Sequence, residues 1–390
     1  MSDSNTTTAA PVQVNMANLR GGIEYASQWT LMWLRFKKHR LALVSMYIVL
    51  GLYVMAVFSE FLAPFNPEDA LRSEGEYKAK AYHPPQGIHL FYTDSNGVTS
   101  FNPHVTVLKE QVDPDTLKKI YVPDNNRKID VSFFVHGFEY KFLGLFKTDI
   151  HFFGPTKHGE VFYLFGSDRN GRDMFSRVIY GGRFTLSLGL IGVVMSVILG
   201  LILGGVAGYY GGKVDWAIQR LTEFIISLPT IPIWLAMAAA LPKDWPTHYQ
   251  YMAVTVIISL IGWTSLARVV RGRLLAMRGE VFVVAAQLDG CSEARVIFRH
   301  MLPSMASHII AAVTLAIPMM VLAETSLSFL GLGLQPPAIS WGVLLKEAQN
   351  IRSIAAAPWL FVPGLAVVVA VLALNFMGDG LRDAADPYSH

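Results

Sequence analysis

The chain has 390 residues, 52% hydrophobic and 16% charged, whereas soluble domains carry about 25% charged residues. The apolar residues come in blocks, which excludes a single large soluble core and points to a polytopic membrane protein with an all-α membrane part. A net charge of +3 calls for no nucleic-acid partner, and the single Cys291 cannot form an internal disulfide.

Residues 1–20 are polar with no apolar core, and read as a disordered segment rather than a signal peptide. Tyr25, Trp29, Leu31 and Trp33 precede Arg35, Lys37, Lys38 and Arg40, the pattern of an interfacial helix with aromatic anchors. Residues 1–40 are thus expected to be a cytoplasmic tail ending in that helix. Residues 41–63 form the first predicted span. The basic cluster before it places the N-terminus inside. Pro64 and Pro67 end it.

Residues 64–165 hold many Pro, Gly, Asp, Lys and aromatic residues and no spanning stretch. Asn96-Gly97 between β-prone flanks is a hairpin signal, and residues 131–146 alternate or run apolar at strand length. A small, mostly β extracytoplasmic insert is expected between the first two spans, with its aromatics forming a thin core rather than a contact surface. In residues 166–183, Asp168, Asp173, Arg169, Arg172 and Arg177 pair with each other or sit at the membrane surface.

Five more spans follow, making a core over 166–377: about 184–208, 214–241, 251–268, 305–323 and 358–377. The second is rich in glycine, which permits close helix approach. Pro229 and Pro232 should kink or unwind the third. With Glu324, near the outer end of the fifth, they are candidates for lining a translocation path. Between spans four and five lies the longest polar interruption of the C-terminal half, within the loop 269–303. Arg268, Arg271, Arg273 and Arg278 lead into it and mark the cytoplasmic side. Locally, Ala285 and Ala286 belong to a short helix that Gly290 ends; Ser292 caps a second helix, which Pro303 ends. Residues 378–390 complete the chain as a cytoplasmic tail, giving six spans with both termini inside.

Two stretches resemble a known family. Gly166, Ser167, Asp168, Gly171, Arg172, Asp173, Ser176, Arg177, Tyr180 and Gly181 match the segment before the second span in permease subunits of binding-protein-dependent ABC importers, of the dipeptide/oligopeptide/nickel branch. Ala285, Ala286, Gly290, Met301, Leu302 and Pro303 match that family's cytoplasmic loop, in which Val284 stands where the family has Glu. Arg299-His300 before Leu302 and the segment 378–387 are similar to the same branch. The resemblance implies the type I ABC importer permease fold, and this chain as the C-type permease of a pair. It also implies a bacterial inner-membrane location, a second homologous permease subunit, two ATPase subunits carrying ATP and Mg, an extracytoplasmic solute-binding protein, and peptides as the default cargo. On this reading Ala285, Ala286, Gly290, Ser292, Arg299, His300, Leu302 and Pro303 form the loop that docks on an ATPase. The bland reading of Arg299 and His300 is a basic face on lipid headgroups.

No Gly-x-x-x-x-Gly-Lys-Ser/Thr cradle, His-Glu-x-x-His, Cys-x-x-Cys or Gly-x-Ser-x-Gly occurs. The chain is therefore expected to be a transport subunit without enzymatic activity, metal or cofactor of its own. His136, His151 and His158 have no ligand spacing. Two other readings stay open: a stand-alone secondary carrier or channel, against which the scarcity of mid-span carboxylates counts, and a membrane-anchored scaffold that works through the insert.

Overall fold

The computed structural model describes residues 28–71, 80–93, 99–112, 114, 119–242 and 244–385. Expectations for residues 1–27 and for the Asn96-Gly97 turn lie outside them. The chain opens with α1 (Gln28–Lys38), in which Trp33 stacks on Phe36. His39 then caps α2 (Arg40–Val57), its Nδ1 accepting from the Ala42 amide at 3.2 Å. α2 breaks at Phe58 and continues briefly as α3 (Ser59–Leu62).

The insert is a four-stranded antiparallel meander, β1 (Ile88–Thr93), β2 (Thr99–Val112), β3 (Lys119–Phe142) and β4 (Phe146–Pro155). The hairpin expected around residues 89–101 is present, with Thr93 opposite Thr99. The run 131–146 is not one strand: it turns at Leu143–Leu145 and re-enters as β4. Its core is indeed thin, with Phe65, Val105, Ile129, Val131 and Phe162 packed together. Most of the aromatics are not in it, however, since Phe91, Phe101, Phe133, Phe134 and Phe146 are exposed. A small sheet has too little depth to cover them all.

Beside that core His83 is buried between the rings of Tyr121 and Tyr163, and its Nδ1 donates to the Pro84 carbonyl at 2.9 Å. Burial pushes the imidazole down to about 4. The folded insert therefore holds His83 neutral at pH values where the unfolded chain takes up a proton. The stability so gained is complete above the ordinary value near 6.5, and is lost as pH falls toward 4. The loss is about 1.4 kcal/mol per pH unit inside that window. Limited proteolysis should cut the insert faster at pH 5 than at pH 7.5. A His83→Asn variant should show a flatter pH response; equal pH sensitivity in both would refute this.

Beyond the insert, Asp173 caps α4 (Met174–Tyr210), accepting from the Ser176 amide at 2.8 Å and its hydroxyl at 2.7 Å. Burial raises the Asp173 carboxyl to about 6 against these bonds. α4 starts ten residues before the apolar block at Phe184, because Asp173 holds the Ser176 hydroxyl and Asp168 holds Arg177 Nη1 inside the protein. α7 (Thr247–Met277) lies along it. Their contact is set by Gly200, Gly204 and Gly208, on which any added Cβ would meet Leu266, Ala267 or Leu274 and Arg271 at 3.0 Å or less.

Between them the third predicted span is two helices, α5 (Gly212–Ser227) and α6 (Thr230–Ala239), bent by 86° at their junction. Among the described residues, five helices are long and apolar enough to cross a membrane, with a sixth crossing only if this bent pair makes one. Pro229 caps α6, and both Pro229 and Pro232 are exposed. After the loop between spans, α11 (Ala306–Phe329) and α14 (Val362–Ala385) complete the helices of spanning length, with the short α12 (Trp341–Glu347) and α13 (Ile351–Ala356) between them. α14 continues through residues 378–385, so most of the expected tail is helix.

Candidate functional site

The loop after α7 is a compact knuckle. Gly279 and Glu280 turn the chain into α8 (Val281–Leu288), where Glu280 occupies the cap position. Gly290 ends α8 with φ +73°; its amide donates to Gln287 O at 3.0 Å, and the Cys291 amide reaches back to Ala286 O at 3.1 Å. This pair of bonds is a Schellman turn, which needs a left-handed residue between the two donors' carbonyl partners and the next helix. No atom lies within 4 Å of a Cβ added at Gly290. Its backbone conformation alone calls for glycine there.

Ser292 starts the second limb in extended conformation but makes no side-chain cap bond. That limb runs through α9 (Glu293–Arg295), a wide π-turn over Val296–Met301, and α10 (Leu302–Ser304). Pro303 does not end it. It sits in the first turn of α10, where no amide is needed, and the break comes at Met305.

The two limbs share a core with the end of α7: Leu266, Val270 and Leu274 pack with Val283, Ala286, Val296, Ile297, Met301, Leu302 and Met305. The predicted loop residues therefore separate. Ala286 and Leu302 are buried in this core, His300 is half-buried, and Ala285, Gly290, Ser292, Arg299 and Pro303 are exposed. Residues not singled out from sequence form much of the outer face: Val281 and Leu288 are each 83% exposed, with Phe282 and Phe298 also open beside Val284. The signal was available, because VFVVAAQL is apolar all round and one helix buries only one stripe. Around the knuckle Tyr210 bonds Glu293, Gln287 reaches Tyr209, and Arg271 grips Asp215 with two nitrogens, Nη2 at 2.6 Å.

Glu324, a candidate for lining the path, sits inside the helix packing. It is fully buried in α11 and accepts hydroxyls from Thr185 at 3.1 Å, Ser328 at 2.8 Å and Ser340 at 2.7 Å. The Thr185 hydroxyl also accepts the Trp341 amide, and the Ser340 hydroxyl the Val343 amide. The carboxylate ties α4, α11 and α12 together. The Glu324 carboxylate is buried, whereas Pro229 and Pro232 are exposed at the bend between α5 and α6.

At the insert side of α4, Asp168 accepts Arg172 Nε at 2.7 Å, Arg177 Nη1 at 2.5 Å, and the amides of Asn170 and Arg172. Glu347 on α12 accepts the Arg169 amide at 3.0 Å, and burial raises its carboxyl. These charges are internal ties, and Asp168 and Arg177 are buried rather than at a membrane surface.

Residues 184–388 match the family described as binding-protein-dependent transport system inner membrane component. Residues 27–85 match the N-terminal transmembrane domain of oligopeptide transport permease C. A putative peptide permease protein of Brucella ovis is 38% identical over 227 residues, which are 58% of this chain and 73% of that one. The oligopeptide transport system permease protein OppC of Haemophilus influenzae is 35% identical over 234 residues, 60% of this chain and 72% of its own. Among solved structures, the MetNI methionine ABC transporter aligns over 55% of this chain and 98% of the matched chain, at 16% identity and a TM-score of 0.43.

Proposed function

The chain belongs to the binding-protein-dependent transport system inner membrane component family, and from that premise we propose how it works and on what. It is a multi-pass inner-membrane permease subunit, a transport part and not an enzyme. Its cargo is a peptide or a similar small solute, as the names of its relatives suggest. It works as one of two homologous permeases, with two ATPases that carry ATP and Mg and an extracytoplasmic solute-binding protein. Both termini and the knuckle are cytoplasmic, and the insert lies on the other side. The exposed Trp216, Leu221 and Phe224 of α5 meet the second permease.

The observation that carries the mechanism is the knuckle: a closed turn with a buried base and an uncovered apolar outer face. Two large apolar side chains so far in the open, on a loop outside the spans, suit a cleft on a partner. The ATPase seats Val281, Ala285 and Leu288, and Arg299 and His300 face its acids. Closure of the ATPases moves the knuckle as one body, and the spans follow.

The test is uptake and ATP hydrolysis by the full complex in liposomes. Leu288→Glu should leave the chain folded, because the side chain is 83% exposed. It should lower coupled ATP hydrolysis and uptake together by about tenfold or more, as loss of a buried apolar anchor does. Gly290→Ala, which forces a side chain into the left-handed turn, should have a smaller effect, about 1 kcal/mol on the loop. Solute movement without ATP or ATPase would replace this reading with the stand-alone carrier.

A further inference from the structure

We propose that the β3–β4 hairpin is a membrane anchor: its tip, Phe142–Phe146, dips into the leaflet on the insert's side, and Lys141 and Lys147 bind phospholipid phosphates there. This rests on the chain crossing a membrane. It does not rest on the coupling reading.

The first observation is the direction in which the hairpin runs. Its base, at Val131 and Phe153, packs on Phe65 and Phe162. Further along, Phe134 and Phe152 meet the ring of Phe61 at 6.3 and 5.8 Å. His151 follows, wholly buried, with its ring nitrogens 3.0 Å from the carbonyls of Glu60 and Phe138. Last, the Phe142 ring lies 5.8 Å from Phe58. As β3 advances from 131 to 142, its contacts step backward from Phe65 to Phe58. The hairpin therefore descends along the chain toward the end of α2 that the insert grows from.

The second observation is depth. α2 runs 18 residues from Arg40, which is about 27 Å of rise, close to the ~30 Å of the hydrocarbon layer. Phe58 thus stands at the layer's boundary. It extends the row Leu50, Val54, Phe58 at a spacing of four, and Leu50 and Val54 are exposed on the outside of the helix. Phe142 joins the top of a row that faces lipid, and residues 143–146 reach beyond it.

The chemistry of the tip agrees. Turns of this kind, with positive φ at Leu143 and Gly144 and the Leu145 amide bonded to Phe142 O at 2.9 Å, favour Asn, Asp or Gly at their first central position. Here leucine holds a left-handed conformation, and Leu145 and Phe146 are 74% and 68% exposed. Lys141 and Lys147 stand directly opposite each other in the register, both exposed. Like charges in that position repel. An anionic layer beside them removes the repulsion, and lysines flanking apolar and aromatic residues suit a headgroup boundary.

The experiment uses the full chain, with its partner subunits, in vesicles of phosphatidylethanolamine and phosphatidylglycerol. In a Cys291→Ser background, an environment-sensitive dye is placed at Leu145→Cys and, as a reference on the far end of β2, at Gln111→Cys. Lipids with a quencher on the acyl chain should dim the Leu145 site about twofold or more over Gln111, and aqueous iodide should do the reverse. Iodide reaching both sites alike, without acyl-chain quenching at Leu145, overturns the proposal. So does protection of Leu145 that appears only when the solute-binding protein is added, since the tip would then be a protein contact. Replacing both lysines (Lys141→Glu with Lys147→Glu) should raise iodide access at Leu145, most in vesicles rich in phosphatidylglycerol. No change overturns the headgroup part. The dye reports position directly, so loss of transport in any variant does not confuse the result.

Discussion

Gly204→Leu should disable the chain by keeping α4 and α7 apart. A Cβ at Gly204 would lie 2.5 Å from the carbonyl oxygen of Ala267 and 2.9 Å from its Cα. Both are backbone atoms of a 31-residue helix, and neither can rotate aside. Overpacking of this type costs about 3 kcal/mol or more, the upper end of the usual range, because relief requires moving a whole helix. Since the α4–α7 seam continues into the core of the knuckle, transport should fall with stability. The check is thermal unfolding in nanodiscs, with an expected fall of about 6 °C or more. Gly272→Leu on α7 is the control: no atom lies within 4 Å of its added Cβ, and its melting should not fall, since leucine favours the helix more than glycine does. Equal melting of the Gly204 variant and the parent would show that the seam is looser than described.

The second large effect belongs to the buried charges. Asp168 is the ion-pair partner of Arg177, and both are buried, at 1% and 5% side-chain exposure. Asp168→Ala removes the acceptor for two guanidinium groups and two backbone amides at once. Stranding a buried cation costs about 3–5 kcal/mol. Removing both charges, with Asp168→Ala and Arg177→Met together, should recover part of that loss, because the desolvation penalty leaves with the cation. Unfolding of the single and double variants decides it. A double variant less stable than Asp168→Ala would mean that Arg177 does more than answer Asp168.

Much of this was legible in the sequence, for identifiable reasons. Gly290 marks its turn because glycine is the residue that takes a left-handed turn without strain, and the apolar blocks mark spans because bilayer thickness fixes their length. The places where the reading went astray are those where a third dimension decides. α4 begins at Met174 because Asp168 bonds Arg177 Nη1 and Asp173 bonds Ser176, which no local pattern reveals. The segment Phe142-Leu-Gly-Leu-Phe146 reads as strand since its turn has no polar residue. Pro303 looks like a stop, yet the first turn of a helix accepts proline. The stretch read as two short helices around Gly290 folds as such a knuckle. Which of its side chains face outward depends on the packing of α8 on α7, so Val281 and Leu288 escaped notice and Ala286 turned out to face inward.

The length of α7 has a consequence for how small a motion is enough. Its 31 residues contain no proline, and one end is fused to the knuckle through their common core. Such a rod is about 46 Å long, so a tilt of about 5° at the knuckle swings the far end through about 4 Å. A displacement of that size is comparable to the width of a side chain. If the knuckle docks as proposed, angular precision at that face, rather than the strength of the push, sets whether the distant end opens or stays shut.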